Sequence, residues 1–247
     1  MEAGLHFGHA SGKWHPKMKP YIFATRDKLH IIDLEQTRQR LTEVMTILEQ
    51  RIADGKMVVL VGTKKQTSDR IKQIGQATGL PYVDVRWLGG TMTNFAELQK
   101  SINRMKRAES FLASDDASQT MIKKERVALE AEVERMEHKY GGLRDMNRKP
   151  DAMFIIDPGH EHNAVKEAHG ENIELFGIVD TNCNPELVNH VIPANDDAPK
   201  GLKIMLDMLE ATILSGQAKA AKKRSDTEAA AAKAQEPVAP AAEEVAA

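Results

Sequence analysis

The run Met57-Val58-Val59-Leu60-Val61, closing on Gly62-Thr63, is apolar at every position. A strand with one wet face alternates apolar and polar residues, so a short wholly apolar run belongs to a parallel strand buried on both faces. Similar runs recur at Ala152 to Ile156, ending at Asp157-Pro158, and at Leu175 to Val179, ending at Asp180. Tyr82 to Trp87 and Val188 to Ile192 read as two further strands. Helical patterns fill the intervals. Asp33 and Gln36 make a capping-box-like start, and Leu34, Leu41, Val44, Leu48 and Ile52 then repeat at helical spacing until Gly55. Lys65 to Thr78, stopped by Gly79, Glu161 to His169, and Leu202 to Leu214, with Gly216 beyond, continue the alternation. The pattern predicts an α/β fold with a doubly wound parallel five-stranded sheet.

Residues Phe95 to Tyr140 break that pattern. Phe95, Leu98, Ile102, Met105 and Leu112 form one narrow apolar stripe, and Ile122, Leu129, Val133, Met136 and Tyr140 another. The polar stretch from Ser114 to Ser118 separates them, and Gly141-Gly142 ends the second. Two such helices predict an inserted antiparallel coiled-coil helical hairpin, zipped by its stripes and otherwise wet. From Gln217 the composition turns to Ala, Lys, Glu and Pro, which offers little surface to bury against chain entropy. The expected organisation is an α/β globular domain over 1–94 and 143–216, an arm over 95–142, and a disordered tail over 217–247.

Composition narrows the functional classes. No apolar run approaches the ~20 residues that span a bilayer, so no membrane role is expected, and no signal peptide is visible. The single cysteine, Cys183, excludes an internal disulfide and fits a reducing compartment, with the cytoplasm as the default. A net charge of −2 argues against a nucleic-acid protein until its patterning is read. Between Lys13 and His30 lie Lys13, Lys17, Lys19, Arg26 and Lys28, opposed by the lone acid Asp27. Such a locally positive surface attracts phosphate over about a Debye length, ~8–10 Å.

Several motifs carry two readings. Val61 to Thr67 sits where a strand feeds a helix, but it lacks the second glycine of a phosphate loop. Lys64 and Lys65 then form either a generic anion site at a helix start or two solvated lysines. His6 and His9, three apart, are a weak metal pair without a third ligand, and Cys183 has no nucleophile signature. Asp157 and Asp180 end strands at the edge where open α/β sheets bind ligands, and Asp196-Asp197 could approach them. These carboxylates either hold a hard cation or cap turns. In Arg86-Trp87-Leu88-Gly89-Gly90-Thr91, the glycines turn the chain off its strand, and Thr91 or Thr93 can cap the helix that follows. Arg86 and Trp87 suit phosphate pairing and base stacking, and Trp87 suits equally a buried plug anchoring the arm.

The same residues carry a family resemblance. Gly4-Leu5-His6-Phe7-Gly8-His9, followed by Trp14-His15-Pro16-Lys17-Met18-Lys19-Pro20-Tyr21-Ile22, resembles the first signature of small-subunit ribosomal protein two, the bacterial-type S-two family. Arg86 to Phe95, Gly141 to Met146, Pro150 to Pro158 and Val179 to Pro185 are similar to its later blocks, in order. The resemblance implies a flavodoxin-like sheet with a protruding coiled-coil arm. It implies a structural, non-enzymatic protein on the small subunit, bridging head and body rRNA in the cytoplasm. By that resemblance, rRNA would meet Lys13, Trp14, Lys17, Lys19, Arg26, Lys64, Lys65, Arg86, Trp87, Thr91 and Asn94. The neighbouring protein would be ribosomal protein one, which recruits mRNA, meeting Asp180, Asp196 and Asp197, with a Mg or Zn ion possible there and no cofactor required. The chain departs from the family at His15, at Ser11-Gly12, at Ala194 and at Pro199, which is expected to interrupt a helix. It lacks the usual short leader, so the start is expected upstream. The rival class is a metal-dependent α/β phosphohydrolase or nucleotide-binding enzyme using Asp157 and Asp180.

Overall fold

Apolar strands that must be covered on both faces dictate the architecture. The computed structural model describes residues 2–114 and 121–234. The chain opens with three short strands, β1 (Phe7–Ala10), β2 (Ile22–Arg26) and β3 (Leu29–Ile32), in an antiparallel sheet ordered β1-β3-β2. Asp27 and Lys28, with φ of 50° and 63°, supply the left-handed pair that a two-residue hairpin turn requires. Then follow α1 (Leu34–Ala53), β4 (Val58–Val61), α2 (Ser68–Thr78), β5 (Tyr82–Val83), α3 (Phe95–Leu112) and α4 (Lys123–Tyr140). β6 (Ala152–Ile156), α5 (His162–Gly170), β7 (Glu174–Val179), β8 (His190–Pro193) and α6 (Pro199–Ala234) complete the described residues.

The main sheet is all parallel and runs β5-β4-β6-β7-β8. Counted along the chain, this is the flavodoxin-like order, and the direction of winding reverses between β4 and β6. Alternate residues of each strand feed opposite cores. Val59, Val61, Met153, Ile155 and Leu175 meet Leu98 and Ile102 of α3 and Val165 of α5 on one face. Val58, Leu60, Phe154, Ile156 and Phe176 meet Leu48 of α1, Ile71 of α2 and Leu209 of α6 on the other. Burying each large side chain contributes about 1.5–3 kcal/mol. The expected doubly wound sheet is present, and α3 roots in its core.

Element limits differ from the sequence reading for local reasons. β5 stops at Val83, short of Trp87, because β4 offers it only Leu60 and Val61 as partners. Asp33 does cap α1, accepting from the Glu35 amide at 3.0 Å. Asn94, rather than Thr91 or Thr93, occupies the N-cap of α3. Pro199 begins α6 instead of interrupting a helix; at the first helical position its missing N–H costs nothing.

α6 also runs past Gly216 to Ala234, so 217–234 of the expected tail is helical, whereas 235–247 lies outside the described residues. Gly216 is a packing residue. A Cβ there would stand 2.9 Å from Ile52 Cβ and 3.0 Å from Glu49 O of α1. Beyond it, Gln217 donates to Thr78 O at 2.7 Å, and Lys219 and Lys223 pair with Glu49 and Asp54. The Ala- and Lys-rich composition has strong helix propensity, and these contacts secure it.

The arm helices pack side by side, with Arg104 bonded to Glu132 at 2.5 Å between them. α3 buries Leu98, Ile102 and Met105; α4 buries nothing fully. Its Leu129, Val133, Met136 and Tyr140 are half-buried, whereas Ile122 is exposed. The expected polar turn falls largely on 115–120, outside the described residues. Gly142 closes the arm root against β5, where a Cβ would stand 2.2 Å from Tyr82 O. Gly142→Ala is therefore expected to cost about 1–3 kcal/mol, measured as a lower urea midpoint at unchanged slope.

Candidate functional site

A parallel sheet collects the residues that follow its strands along one edge. Here Lys64 follows β4, Asp157 follows β6, Asp180 follows β7, and Asp196 follows β8. The Lys64 ammonium sits among three carboxylates, 2.6 Å from Asp157 Oδ2, 2.9 Å from Asp196 Oδ1 and 3.1 Å from Asp197 Oδ1. Burial works against its charge, but the hydrogen bonds and charges of Asp157 and Asp196 prevail, and its pKa rises. Lys64 is thus spent on acids, which corrects its reading as a phosphate ligand. Asp157 adopts a left-handed backbone, φ 58°, aiming its carboxylate back to accept from the His160 amide at 3.0 Å. Burial opposes ionisation of Asp157, yet the Lys64 hydrogen bond and charge hold its pKa below the usual value.

The antiparallel sheet delivers the remaining partner. His9 of β1 donates through Nδ1 to Asp180 Oδ2 at 3.0 Å, while its amide donates to Thr181 Oγ1 at 2.8 Å. This approach requires Gly8, since a Cβ there would meet Thr181 Cγ2 at 2.6 Å. Further stitches tie this segment down: Asn195 N to Leu5 O at 3.1 Å, Asn195 Nδ2 to Gly4 O at 3.0 Å and His15 N to Thr181 O at 2.8 Å. The Asp180 hydrogen bond raises the His9 pKa despite partial burial.

Ligand atoms of His9, Asp180 and Asp196 all lie within 4.8 Å of one another, a span an ion can bridge. Asp196 Oδ2 is buried without a hydrogen-bond partner among the described residues, so one acceptor is available. Burial, followed by the charges of Asp157 and Asp180, pushes the Asp196 pKa up to about 7. A divalent ion would relieve that crowding. The imidazole nitrogen suits zinc better than magnesium, which prefers oxygen throughout. Asp197 stands at the rim, half-exposed, with Oδ2 3.8 Å from His9 Nε2. The sequence reading named the three aspartates but did not join His9 to them.

Two neighbours seal the floor. Cys183 is buried and donates to Asp157 Oδ1 at 3.3 Å; burial and the Asp157 charge raise its pKa well above that of a free thiol. Glu161, also buried, accepts from the Thr63 hydroxyl, and burial raises its pKa.

The Trp-Gly corner resolves differently from a stacking platform. Trp87 is 4% exposed, and its indole N–H donates to Glu167 Oε1 at 3.1 Å. The same α5 carboxylate accepts from the amides of Gly90 (2.8 Å), Met92 (2.9 Å) and Thr93 (3.2 Å), and from the Thr93 hydroxyl at 3.2 Å. Burial opposes the ionised form, but these donors lower the Glu167 pKa. Trp87 is therefore the plug rather than the rRNA contact, and the turn wraps a protein carboxylate. Thr91 is buried too, its hydroxyl donating to Leu88 O.

The other residues read as rRNA contacts are dispersed. Lys13, Lys19, Arg26, Lys65, Arg86 and Asn94 are exposed. Trp14 is half-buried beside the His30 ring, centroids 5.0 Å apart. Lys17 pairs with Glu186, which offsets its charge. The antiparallel sheet exposes Phe7, Phe23 and Leu29, with Phe23 75% accessible.

A protein-family model described as ribosomal protein S2 matches residues 1–216. The chain belongs to the ribosomal protein S2 family. The family consists of structural proteins of the small ribosomal subunit, which serves translation, and membership places this chain on the ribosome. Among the described residues of this S2-family protein, no helix is long and apolar enough to cross a membrane.

Asp196 binds its proton more tightly folded than unfolded, so it stabilises the fold fully below its ordinary value of 3.8. That contribution is lost as pH rises toward about 7. His9, raised above 6.5, loses its stabilising charge at still higher pH. In chelator, the contribution of this cluster to the melting midpoint is expected to fall between about pH 4 and about pH 8, and Asp196→Asn to flatten that fall.

Proposed function

We propose that this protein binds small-subunit rRNA between head and body, with its arm a coiled-coil hairpin reaching rRNA or neighbouring proteins. The observation that carries this is the exposure of Lys13, Lys19 and Arg26, whose side chains have no carboxylate partner among the described residues. Phosphate contacts supply most of the affinity, and counterion release makes it salt-dependent. Lys65, Arg86 and Asn94, also exposed, add separate contacts, on the ribosome in the cytoplasm. Replacing Lys13, Lys19 and Arg26 together by Gln is expected to reduce the logarithmic salt slope of rRNA binding by about 2. Titration of the full chain with small-subunit rRNA across a salt series measures it; an unchanged slope removes these residues from the contact.

The carboxyl-edge pocket serves the second part of the role, docking ribosomal protein one around Asp180, Asp196 and Asp197, with zinc the better-fitting ion. His9 belongs to the same sheet that exposes Phe7, Phe23 and Leu29, so apolar area lies on the element that lines the pocket. Apolar area of this kind favours a protein partner. Phe23→Ala is expected to weaken docking of ribosomal protein one at least tenfold in a pull-down titration while leaving rRNA binding intact.

The enzymatic alternative finds little support in the pocket. The Lys64 donors are taken by carboxylates, and Cys183 is shut off from solvent.

A further inference from the structure

The opposite edge of the main sheet holds a cleft that the S2-family match and the sequence reading leave unassigned. A cavity of about 760 Å³ opens at the amino ends of β4 and β5, with Leu80, Pro81 and Tyr82 along its floor. The arm root at Gly141-Gly142 forms one wall, and the α6 extension from Gln217 to Arg224 forms another. Lys56, Arg144, Arg148 and Arg224 stand around it.

These cations are unevenly neutralised. Lys56 and Arg148 share one carboxylate, Asp151, at 3.3 and 2.8 Å, and that carboxylate also accepts the Met57 amide at 2.8 Å. One positive charge is left over. Arg224 has no carboxylate partner among the described residues, nor does its neighbour Lys222, and both are exposed. Arg144 is the exception, held between Glu109 and Glu137, and Asp145, the further acid lining the cleft, is paired with Lys106 at 3.3 Å. The surplus therefore gathers around Lys56, Arg148 and Arg224. Arg224 joins that surplus because α6 continues past Gly216. A strand edge with two guanidinium forks and an excess of positive charge suits phosphate oxygens, which arginine can grip in pairs.

We propose that this amino-edge cleft is a second rRNA contact, taking backbone phosphates on Lys56, Arg148 and Arg224. The inference rests on the rRNA-binding reading and adds a face to it. With Lys13, Lys19 and Arg26 in the N-terminal segment that carries the antiparallel sheet and this cleft at the amino edge of the main sheet, the globular domain holds two RNA segments at once. That is the geometry a bridge between two parts of a subunit needs.

The test compares three full-length proteins on purified small-subunit rRNA over a KCl series. The cleft variant carries Lys56→Gln, Arg148→Gln and Arg224→Gln; the second variant carries Lys13→Gln, Lys19→Gln and Arg26→Gln. A salt slope reduced by about 2 in the cleft variant supports the inference. Loss in the N-terminal variant with an unchanged cleft variant overturns it and leaves the rRNA reading standing. No change in either variant removes both. If the cleft variant melts at lower temperature, Arg224→Gln decides alone, since it breaks no ion pair among the described residues; a slope reduced by about 0.7 or more supports the contact, and no reduction overturns it. A cleft variant that binds rRNA normally but loses a ribosomal protein in subunit reconstitution overturns the RNA assignment in favour of protein docking.

Discussion

Lys64 is the group on which the carboxyl edge depends. The topology of the sheet sends the ends of β4, β6, β7 and β8 to one place, and three of those ends carry aspartates. At about 4 Å, two like charges repel by about 4 kcal/mol at an effective dielectric of 20. One ammonium within 3.1 Å of three carboxylates offsets most of that repulsion. It does not offset all of it: Asp180 lies outside its reach, and burial with the charges of Asp157 and Asp180 still raises the Asp196 pKa to about 7. His9 completes the balance. The small antiparallel sheet is thus joined to the main one by electrostatics as well as by backbone hydrogen bonds, and the pocket exists only where the two sheets meet.

The arm is secured by the same kind of device turned around. At the carboxyl edge a cation gathers anions; at the arm root one anion, Glu167, gathers an indole N–H and three backbone amides. The turn that looks fit to wrap a phosphate is already filled by the protein's own carboxylate. Trp87 beneath it and Gly142 against Tyr82 close the joint from either side. Leu98 and Ile102 then carry the first turns of α3 into the sheet core, so the arm begins as part of the body.

What the sequence reveals and what it hides divide along physical lines. β4, β6 and β7 are legible because burial on both faces demands unbroken apolar runs. β1, β2 and β3 are hidden because only His30 and Ile32 among their residues are buried, which leaves no periodicity to read. Asp157, Asp180 and Asp196 stand out as strand-ending acids. The use of Lys64 is invisible, since its partner Asp196 lies 132 residues away and nothing local distinguishes a paired lysine from a free one. His9 is obscured in the same way: next to His6 it looks like half of a local metal pair, whereas its partner is Asp180, 171 residues on. The α6 extension is misread because Ala, Lys and Glu serve both helices and unfolded chains. Only the Glu49, Asp54 and Thr78 contacts separate the two.

Cys183 gives this site a built-in clock. The thiol is shut beneath the carboxylate cluster, hydrogen-bonded to Asp157, and burial keeps it in the unreactive protonated form. An alkylating reagent can therefore reach the sulfur only during excursions that lift the floor of the pocket away from β6. The chain has no second cysteine to confuse the signal. The pace of labelling under native conditions reads out how often this one corner opens, and anything lodged above it, ion or protein, slows that clock.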